Sequence, residues 1–381
     1  MHFDWTQDQL ELRQGAVDFA RARLSDEVIQ RDREETFPRD LWDACGDFGL
    51  QGIMAPEDRG GGGQDLLSAV AVFEGIGYGA LDNGLVFSVA AHAASCEGPL
   101  STYGSDEQKD RWLPGLADGS LVGATAITEP DSGSNALGLA TEARQDGDHW
   151  ILDGSKTFVT NAPVADLFIV YARTGGGGFS GLSCFLIPRD TEGLTVGPPM
   201  EKMGLRTSPM AQIYLSGCRL PASAVVGRVG SGAMIFNQTM DIERLLVMAP
   251  AVGVMERLLE RCVAHARQRN TGAGPIGKQQ SIAHRIADME LRLESSRLLL
   301  YRAAWRRLHR GTATRESALA KLAVSEAYVA TCRDAVQIFG GYGYMVDYQL
   351  ERELRDALAT TLYVGTSEIQ RNLIAGLRGL G

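Results

Sequence analysis

Glu243 is the residue in this sequence whose type and setting best suit moving a proton. It lies in the run MIFNQTMDIERLLVMAPAVGVMERLL, apolar on nearly every side, which is the pattern of a buried helix. Phe236, Met240, Glu243 and Val247 follow i, i+4, i+7, i+11 and share one stripe. A carboxylate on that stripe either meets a basic partner or faces a cavity. Burial raises a carboxyl pKa, as a general base working near neutral pH needs. The competing reading is a structural Glu–Arg pair, although Arg244 points away by about 100° around the helix.

A second set of chemical groups lies in TAITEPDSGSN (125–135) and HWILDGSKTFVTN (149–161). A strand-like run, 122–127, enters a turn built from Pro130, Asp131, Ser132 and Gly133. Downstream, two short apolar runs flank Asp153-Gly154, which predicts a hairpin turn there. Thr128 and Thr160 then fall at strand ends beside irregular backbone, suited to gripping something polar and planar. The same hydroxyls, with that of Ser134, serve equally well to satisfy local turn backbone. Gly75-x-Gly77-x-Gly79 follows a helical run, so close helix packing explains it better than a dinucleotide fingerprint. Gly340-Gly341-Tyr342-Gly343 also follows a helix and reads as its C-terminal cap. No histidine pair has zinc-ligand spacing, His265 and His284 read as surface or packing residues, and no metal site is expected.

The elements that position these groups fall in three blocks. Residues 1–120 are expected to be helical, with a capping box at Thr6 and Gln9 and helices near 10–29, 39–48, 66–78, 85–100 and 106–113, the last ending before Pro114. Residues 121–229 carry short apolar runs (121–127, 150–152, 156–159, 167–172, 182–187, 212–215), with turns at 175–178, 191–193 and 198–199. That pattern predicts an antiparallel β-barrel or sandwich. Residues 230–381 hold long periodic helices (233–267, 279–308, 317–339, 367–377), read as a four-helix bundle. The fold class is α+β, mainly α, in three domains.

Composition narrows the partners. The 381 residues are 44% hydrophobic and 22% charged, with 37 basic against 47 acidic side chains and a net charge of −10. An acidic chain with no basic run argues against nucleic acid or an anionic membrane, and no apolar run approaches a membrane span. The polar, acidic opening segment does not read as a signal peptide. Six scattered cysteines without a Cys-x-x-Cys read as reduced core residues, so a cytoplasmic location is expected.

Taken together, the motifs resemble the flavin-dependent acyl-CoA dehydrogenases along essentially the whole chain. They are YGS with EQK (103–109), TEPDSGS (128–134), GSKTFVTN (154–161), EKMGLR (201–206), Glu243-Arg244, PIG with Gln280, QIFGGYG (337–343), Arg355-Asp356 and GTSEIQR (365–371). The resemblance implies FAD and a homo-oligomer, a dimer of dimers. It implies that Thr128 and neighbouring backbone bond the flavin pyrimidine edge, with Ile127 and Gly133 among the contacts. Thr160 would bond near flavin N5, Phe158 would lie beside the ring, and Ser134 would contact both cofactor and the acyl-carrier arm. Arg269, Gln337 and Gly341 would hold the pyrophosphate and adenine half across a subunit interface, and Thr366 and Glu368 would reach the adenosine region. Met240, Arg244, Val364 and Gly365 would contact substrate.

Two departures matter. Many relatives carry the base in a Tyr-Glu-Gly-Thr motif, which here reads Tyr363-Val364-Gly365-Thr366. Valine takes no proton, whereas Glu243-Arg244 matches the placement in isovaleryl-CoA dehydrogenase. The stretch after Arg269, Asn270-Thr271-Gly272-Ala273-Gly274, lacks the usual aromatic, and Asn135 stands where many relatives have Asp. FPRDLWDACGDFGL (37–50), Asp82-Asn83-Gly84, VTNAPVAD (159–166) and EKMGLRTSPMA (201–211) further resemble the natural-product subgroup that acts on carrier-tethered prolyl or acyl groups. The implied reaction is α,β-dehydrogenation of an acyl-CoA or acyl-carrier-protein thioester: Glu243 removes the α-proton and the β-hydrogen leaves as hydride to flavin N5. An electron-transfer flavoprotein or another acceptor would reoxidise the flavin. Alternatives are a vinylogous γ,δ-dehydrogenase, a prolyl-carrier-protein dehydrogenase, and a flavin- or acyl-binding scaffold without activity.

Overall fold

Thr6 starts the first helix as its capping box predicts: the hydroxyl accepts from Gln9 N, and the Gln9 side chain accepts from Thr6 N. The computed structural model describes residues 5–175, 178–272 and 274–380. Residues 1–4 of the opening segment, Gly176 and Gly177 of the expected 175–178 turn, and Ala273 lie outside the described residues. The helix expected over 10–29 is two: α1 (Gln7–Arg23) and α2 (Val28–Glu34). Next come α3 (Arg39–Asp47), α4 (Leu66–Gly79) and α5 (Asn83–Ala91). The Asp65 and Asp82 carboxylates cap α4 and α5. The single helix expected at 85–100 is broken: α5 runs into a π-helical turn, His92–Glu97, and then into α6 (Gly98–Tyr103). α7 (Asp106–Ala117) contains Pro114 rather than stopping before it. Proline's missing N–H falls in the last turn, where it forfeits only one helical bond.

The strands of the middle block are β1 (Gly123–Ala126), β2 (Glu142–Asp146), β3 (His149–Thr160), β4 (Leu167–Arg173), β5 (Leu182–Pro188), β6 (Leu194–Val196), β7 (Met210–Pro221) and β8 (Val225–Val226). They form one sheet ordered β6-β7-β3-β2-β4-β5-β8, with β1 also on β4. It is not wholly antiparallel, because β1 and the end of β2 pair with β4 in parallel. Trp150 and Leu152 of β3 and Ile213 of β7 share a core with Phe168, Val170 and Phe185 of β4 and β5. The rings of Trp150 and Phe185 lie 5.7 Å apart, so the sheet folds over on itself in the barrel or sandwich manner. The alternate residues of β4 and β5, Ile169, Tyr171, Cys184 and Leu186, pack outward onto Leu100, Leu113 and Ile235 of the helices. Burial on both faces explains why these strands read as unbroken apolar runs.

The expected turn at Asp153-Gly154 does not form. β3 continues straight through, with a register shift against β7 between Leu152 and Gly154. The hairpin turn is Gly147-Asp148, at the other Asp-Gly: Asp146 ends β2 and pairs with His149, and Gly147 takes φ 59°. Pairing of β2 with β3 selects between two equivalent turn signals, and β2, β6 and β8 are strands that the sequence pattern does not announce.

After the sheet come α8 (Gly232–Gln268), α9 (Gln280–Arg310), α10 (Thr314–Phe339), α11 (Leu350–Ala359) and α12 (Ser367–Gly376). α11 was not expected. α8 is the spine, packing on α4, α9 and α10 with Leu245, Met255, Met289, Leu300 and Val324 in one core. The glycines of α4 are packing residues: a Cβ on Gly77 would lie 2.1 Å from Pro250 O. Gly340 ends α10 with φ 61°. Among the described residues no helix is long and apolar enough to cross a membrane, and no acidic, His or Cys cluster is arranged to hold a metal.

Candidate functional site

α8 carries Glu243 close enough to the sheet for its charge to act on the Tyr171 hydroxyl of β4. Two turns earlier, Phe236 sets its ring 5.9 Å from that of Tyr171 on β4, which ties the helix to the outward face of the sheet. Met240 is half-buried one turn before Glu243. The Glu243 Oε2 atom is buried with no hydrogen-bond partner among the described residues. Desolvation pushes the carboxyl up to about 7, against the opposing pull of the Arg244 charge. Arg244 forms no direct pair with it. Its Nη1 lies 3.7 Å from Asp241 Oδ1, and its Nε donates to Val364 O at 3.4 Å. Asp241 also accepts from Thr314 Oγ1 at 2.9 Å. The arginine is thus occupied elsewhere, and Glu243 is left half-buried, with its Oε2 atom buried and unpartnered.

Val364 and Gly365 face this region. Val364 has φ 47°, rare for a β-branched residue. Gln370 Nε2 donates to the carbonyls of both Val364 and Gly365, at 3.2 and 2.8 Å, and holds the turn. One turn beyond Glu243, Val247 joins Val86, Ala251 and Val254 around a cavity of only about 30 Å3. Phe87 and Tyr363 also line it, their rings stacked at 4.6 Å. Sequence reasoning missed Phe87. Its spacing on an apolar helix carries no mark that distinguishes a cavity wall from ordinary core.

The hydroxyl set assembles at the sheet edge. Thr128 lies two residues past β1 and Thr160 ends β3; both are half-buried. Thr157 N donates to Thr128 O at 2.8 Å, joining the two segments. A second register shift against β7, between Lys156 and Val159, throws Phe158 outward. Phe158 has φ 54° and is 61% exposed, an unusual setting for a large apolar ring. Ile127 is half-buried, while Gly133, Ser134 and Asn135 lie exposed on the loop that follows. Sequence reasoning also missed a buried ion pair here: Lys156 Nζ donates to Glu129 Oε1 at 2.8 Å. A lysine at an inward position of a strand was the available signal.

A third group is separate. Arg269 and Gly341 line one cavity of about 500 Å3 with His265, Phe339 and Tyr342. The Arg269 guanidinium sits 5.4 Å from the Tyr342 ring centre, and His265 stacks on Phe339 at 4.0 Å. A Cβ on Gly341 would meet nothing within 4 Å. Gln337 is exposed on the last turn of α10 and does not line that cavity. Thr366 caps α12 by accepting from Ile369 N at 3.3 Å. Glu368 is exposed in the first turn of α12, where its own backbone N–H and the Thr366 hydroxyl hold its carboxyl below the usual range.

Three protein-family models match nearly the whole chain: acyl-CoA dehydrogenase N-terminal domain over residues 6–120, middle domain over 124–218 and C-terminal domain over 230–376. An L-prolyl-[peptidyl-carrier protein] dehydrogenase of Pseudomonas fluorescens is 41% identical over 336 residues, 88% of each chain. The mitochondrial short-chain specific acyl-CoA dehydrogenase of Rattus norvegicus is 39% identical over 366 residues, 96% of this chain and 88% of that protein. A solved structure of PigA with FAD and proline superposes with a TM-score of 0.97 at 36% identity, covering 100% of both chains.

Proposed function

The chain belongs to the acyl-CoA dehydrogenase family, and we propose that it is an FAD-dependent dehydrogenase of an acyl thioester in which Glu243 takes the α-proton. One observation carries the assignment of the base: Glu243 Oε2 is buried and unpartnered, with the carboxyl pushed up to about 7 by desolvation. A structural acid would have claimed Arg244, yet Arg244 serves Asp241 and the Val364 carbonyl. An acid poised near neutrality can accept a carbon-bound proton and release it afterwards. Val364, at the other position relatives use, has no titratable group. The same unpaired acid argues against a scaffold without activity.

The donor set suits FAD. Thr128 and Thr160 offer half-buried hydroxyls beside an exposed aromatic ring, matching a flat ring system with polar edges. Arg269 and the open flank of Gly341 line a cavity in the size range of ligand sites, matching a phosphate-bearing half. When bound, FAD supplies the acceptor for the β-hydrogen, taken as hydride at flavin N5. Thr128, with the backbone of Ile127 and Gly133, would hold one ring edge, Thr160 the N5 side, and Phe158 would flank the ring. Ser134 would meet the carrier arm of the substrate. Gln337, Thr366 and Glu368 would contact the adenosine half, and Met240, Arg244, Val364 and Gly365 would enclose the acyl group. Glu243 works among apolar neighbours, and exclusion of water strengthens its interaction with developing charge.

A carrier-tethered prolyl group is the favoured substrate within this class, because the space beyond Glu243 is short. Val247, one turn along α8, lines a cavity of only about 30 Å3 together with the stacked Phe87 and Tyr363 rings, which suits a compact ring or short acyl group. An electron-transfer flavoprotein as acceptor, a dimer-of-dimers assembly and a cytoplasmic location complete the reading. Glu243→Gln tests the base. Substrate-dependent anaerobic bleaching of bound flavin is lost while FAD stays bound; bleaching at near the wild-type rate refutes the assignment. Mass spectrometry of products from matched CoA and carrier-protein thioesters identifies the substrate.

A further inference from the structure

Glu129 and Lys156 are both buried, at 6% and 0% exposure, in a part of the molecule where no helix packing requires charge. Burying an ion pair gains little stability over an apolar pair of the same shape, so its contacts are informative. Lys156 Nζ donates to Glu129 Oε1 at 2.8 Å and to Ile127 O at 3.2 Å. The Glu129 carboxylate accepts in addition from Ala140 N, Thr141 N and Thr141 Oγ1. One carboxylate therefore joins the start of the 130–139 loop, the residues that close it, and strand β3.

Neighbouring features serve the same closure. Glu129 and Ser132 bond to each other through backbone at 3.1 Å in both directions. Arg173 Nη2 donates to Leu139 O at 3.1 Å, and Arg173 N to Thr141 O at 2.8 Å. The bulge at Gly154 makes room: a Cβ there would lie 2.5 Å from Thr141 Oγ1. Thr157, next to Lys156, holds the Thr128 carbonyl. Thr128 sits between the two backbone positions that the pair grips, and Thr160 ends the strand that Lys156 stands on.

We propose that the Glu129–Lys156 pair is a positioning device for the flavin ring, clipping the 127–129 segment and the mouth of the 130–139 loop onto β3 so that the Thr128 and Thr160 hydroxyls stand at a fixed separation. The inference rests on the reading of this segment as the flavin cradle. The pair touches no reacting atom. It acts through Thr128 and the loop backbone, and its charges are what give the clip direction.

The test uses the full-length protein stripped of flavin and titrated with FAD. Affinity is followed by quenching of flavin fluorescence, ring environment by the visible circular dichroism of the bound flavin, and folding by the urea midpoint of the flavin-free protein. Lys156→Met leaves a buried carboxylate unpaired; it lowers the urea midpoint and weakens FAD at least about tenfold, the scale of a lost charge-assisted bond. Glu129→Gln with Lys156→Met removes both charges. The urea midpoint then recovers toward wild type, while FAD remains at least about tenfold weaker and its dichroism altered. Thr141→Val removes one bond to Glu129 without unpairing a charge; it weakens FAD a few-fold and lowers the midpoint less than Lys156→Met does. A double variant that binds FAD with wild-type affinity and dichroism overturns the proposal and leaves the pair a structural one. Failure of the wild-type protein to bind FAD overturns the cradle reading itself, and the positioning role with it.

Discussion

Glu243→Gln separates stability from catalysis in a way that only an unpaired, desolvated acid predicts. Raising the carboxyl from 4.5 to about 7 costs the ionised form about 3 kcal/mol, at ~1.4 kcal/mol for each tenfold in proton activity. The direction follows from proton counting. Between pH 4.5 and 7 the unfolded chain has released this proton while the folded chain still holds it, so this group makes the protein less stable as pH rises through that window. Above about 7 the loss is complete. Glutamine has nearly the same shape and no charge, so the variant gains up to about 3 kcal/mol over wild type at pH 8 and almost nothing near pH 4.5. Urea denaturation of both proteins at the two pH values reads this difference. In the wild type, kcat/KM falls as pH drops below about 7, because the base must be ionised in the free enzyme; in the variant, turnover is lost at every pH. Equal stability of the two proteins at pH 8 would mean that Glu243 has a charged partner or access to water, and the argument for an unpaired base would fail.

Phe87→Ala enlarges the cavity beside Val247 on α8; if that cavity receives the acyl group, kcat/KM for longer acyl thioesters rises by about tenfold relative to compact ones, an order of magnitude typical of pocket volume changes, as a chain-length series would read. Gly77→Ala forces a Cβ toward Pro250 O, where 2.1 Å is available; the α4–α8 contact must spread, at about 1–3 kcal/mol in the urea midpoint. Arg269→Ala weakens FAD by about tenfold or more with little change in the urea midpoint of the flavin-free protein, since its guanidinium lies over an exposed tyrosine ring rather than in the core; equilibrium dialysis against FAD checks it.

Much of the molecule was legible because it is local. Helical and strand periods depend on residues a few places apart, so the order of helices, sheet and helices follows from the chain itself. So do the stripe that buries Glu243, the cap at Gly340 and the motif set that identifies the family. What stayed hidden depends on partners distant in sequence. Two Asp-Gly pairs look alike until β2 and β3 pair, and only then does one become a turn and the other a bulge. Glu129 and Lys156 stand 27 residues apart; an inward lysine signals that some acid must meet it, but not which one. Arg244 could face Glu243 or Asp241, and side-chain directions fixed by packing against α10 gave it to Asp241. The sequence by itself determined which residue could act as a base and where the strand-end hydroxyls lie. Tertiary structure alone decided that Glu243 Oε2 is buried without a partner among the described residues, that Phe87 stacks on Tyr363, and that Glu129 pairs with Lys156 beside the 130–139 loop, because burial and long-range contact exist only once the chain has folded.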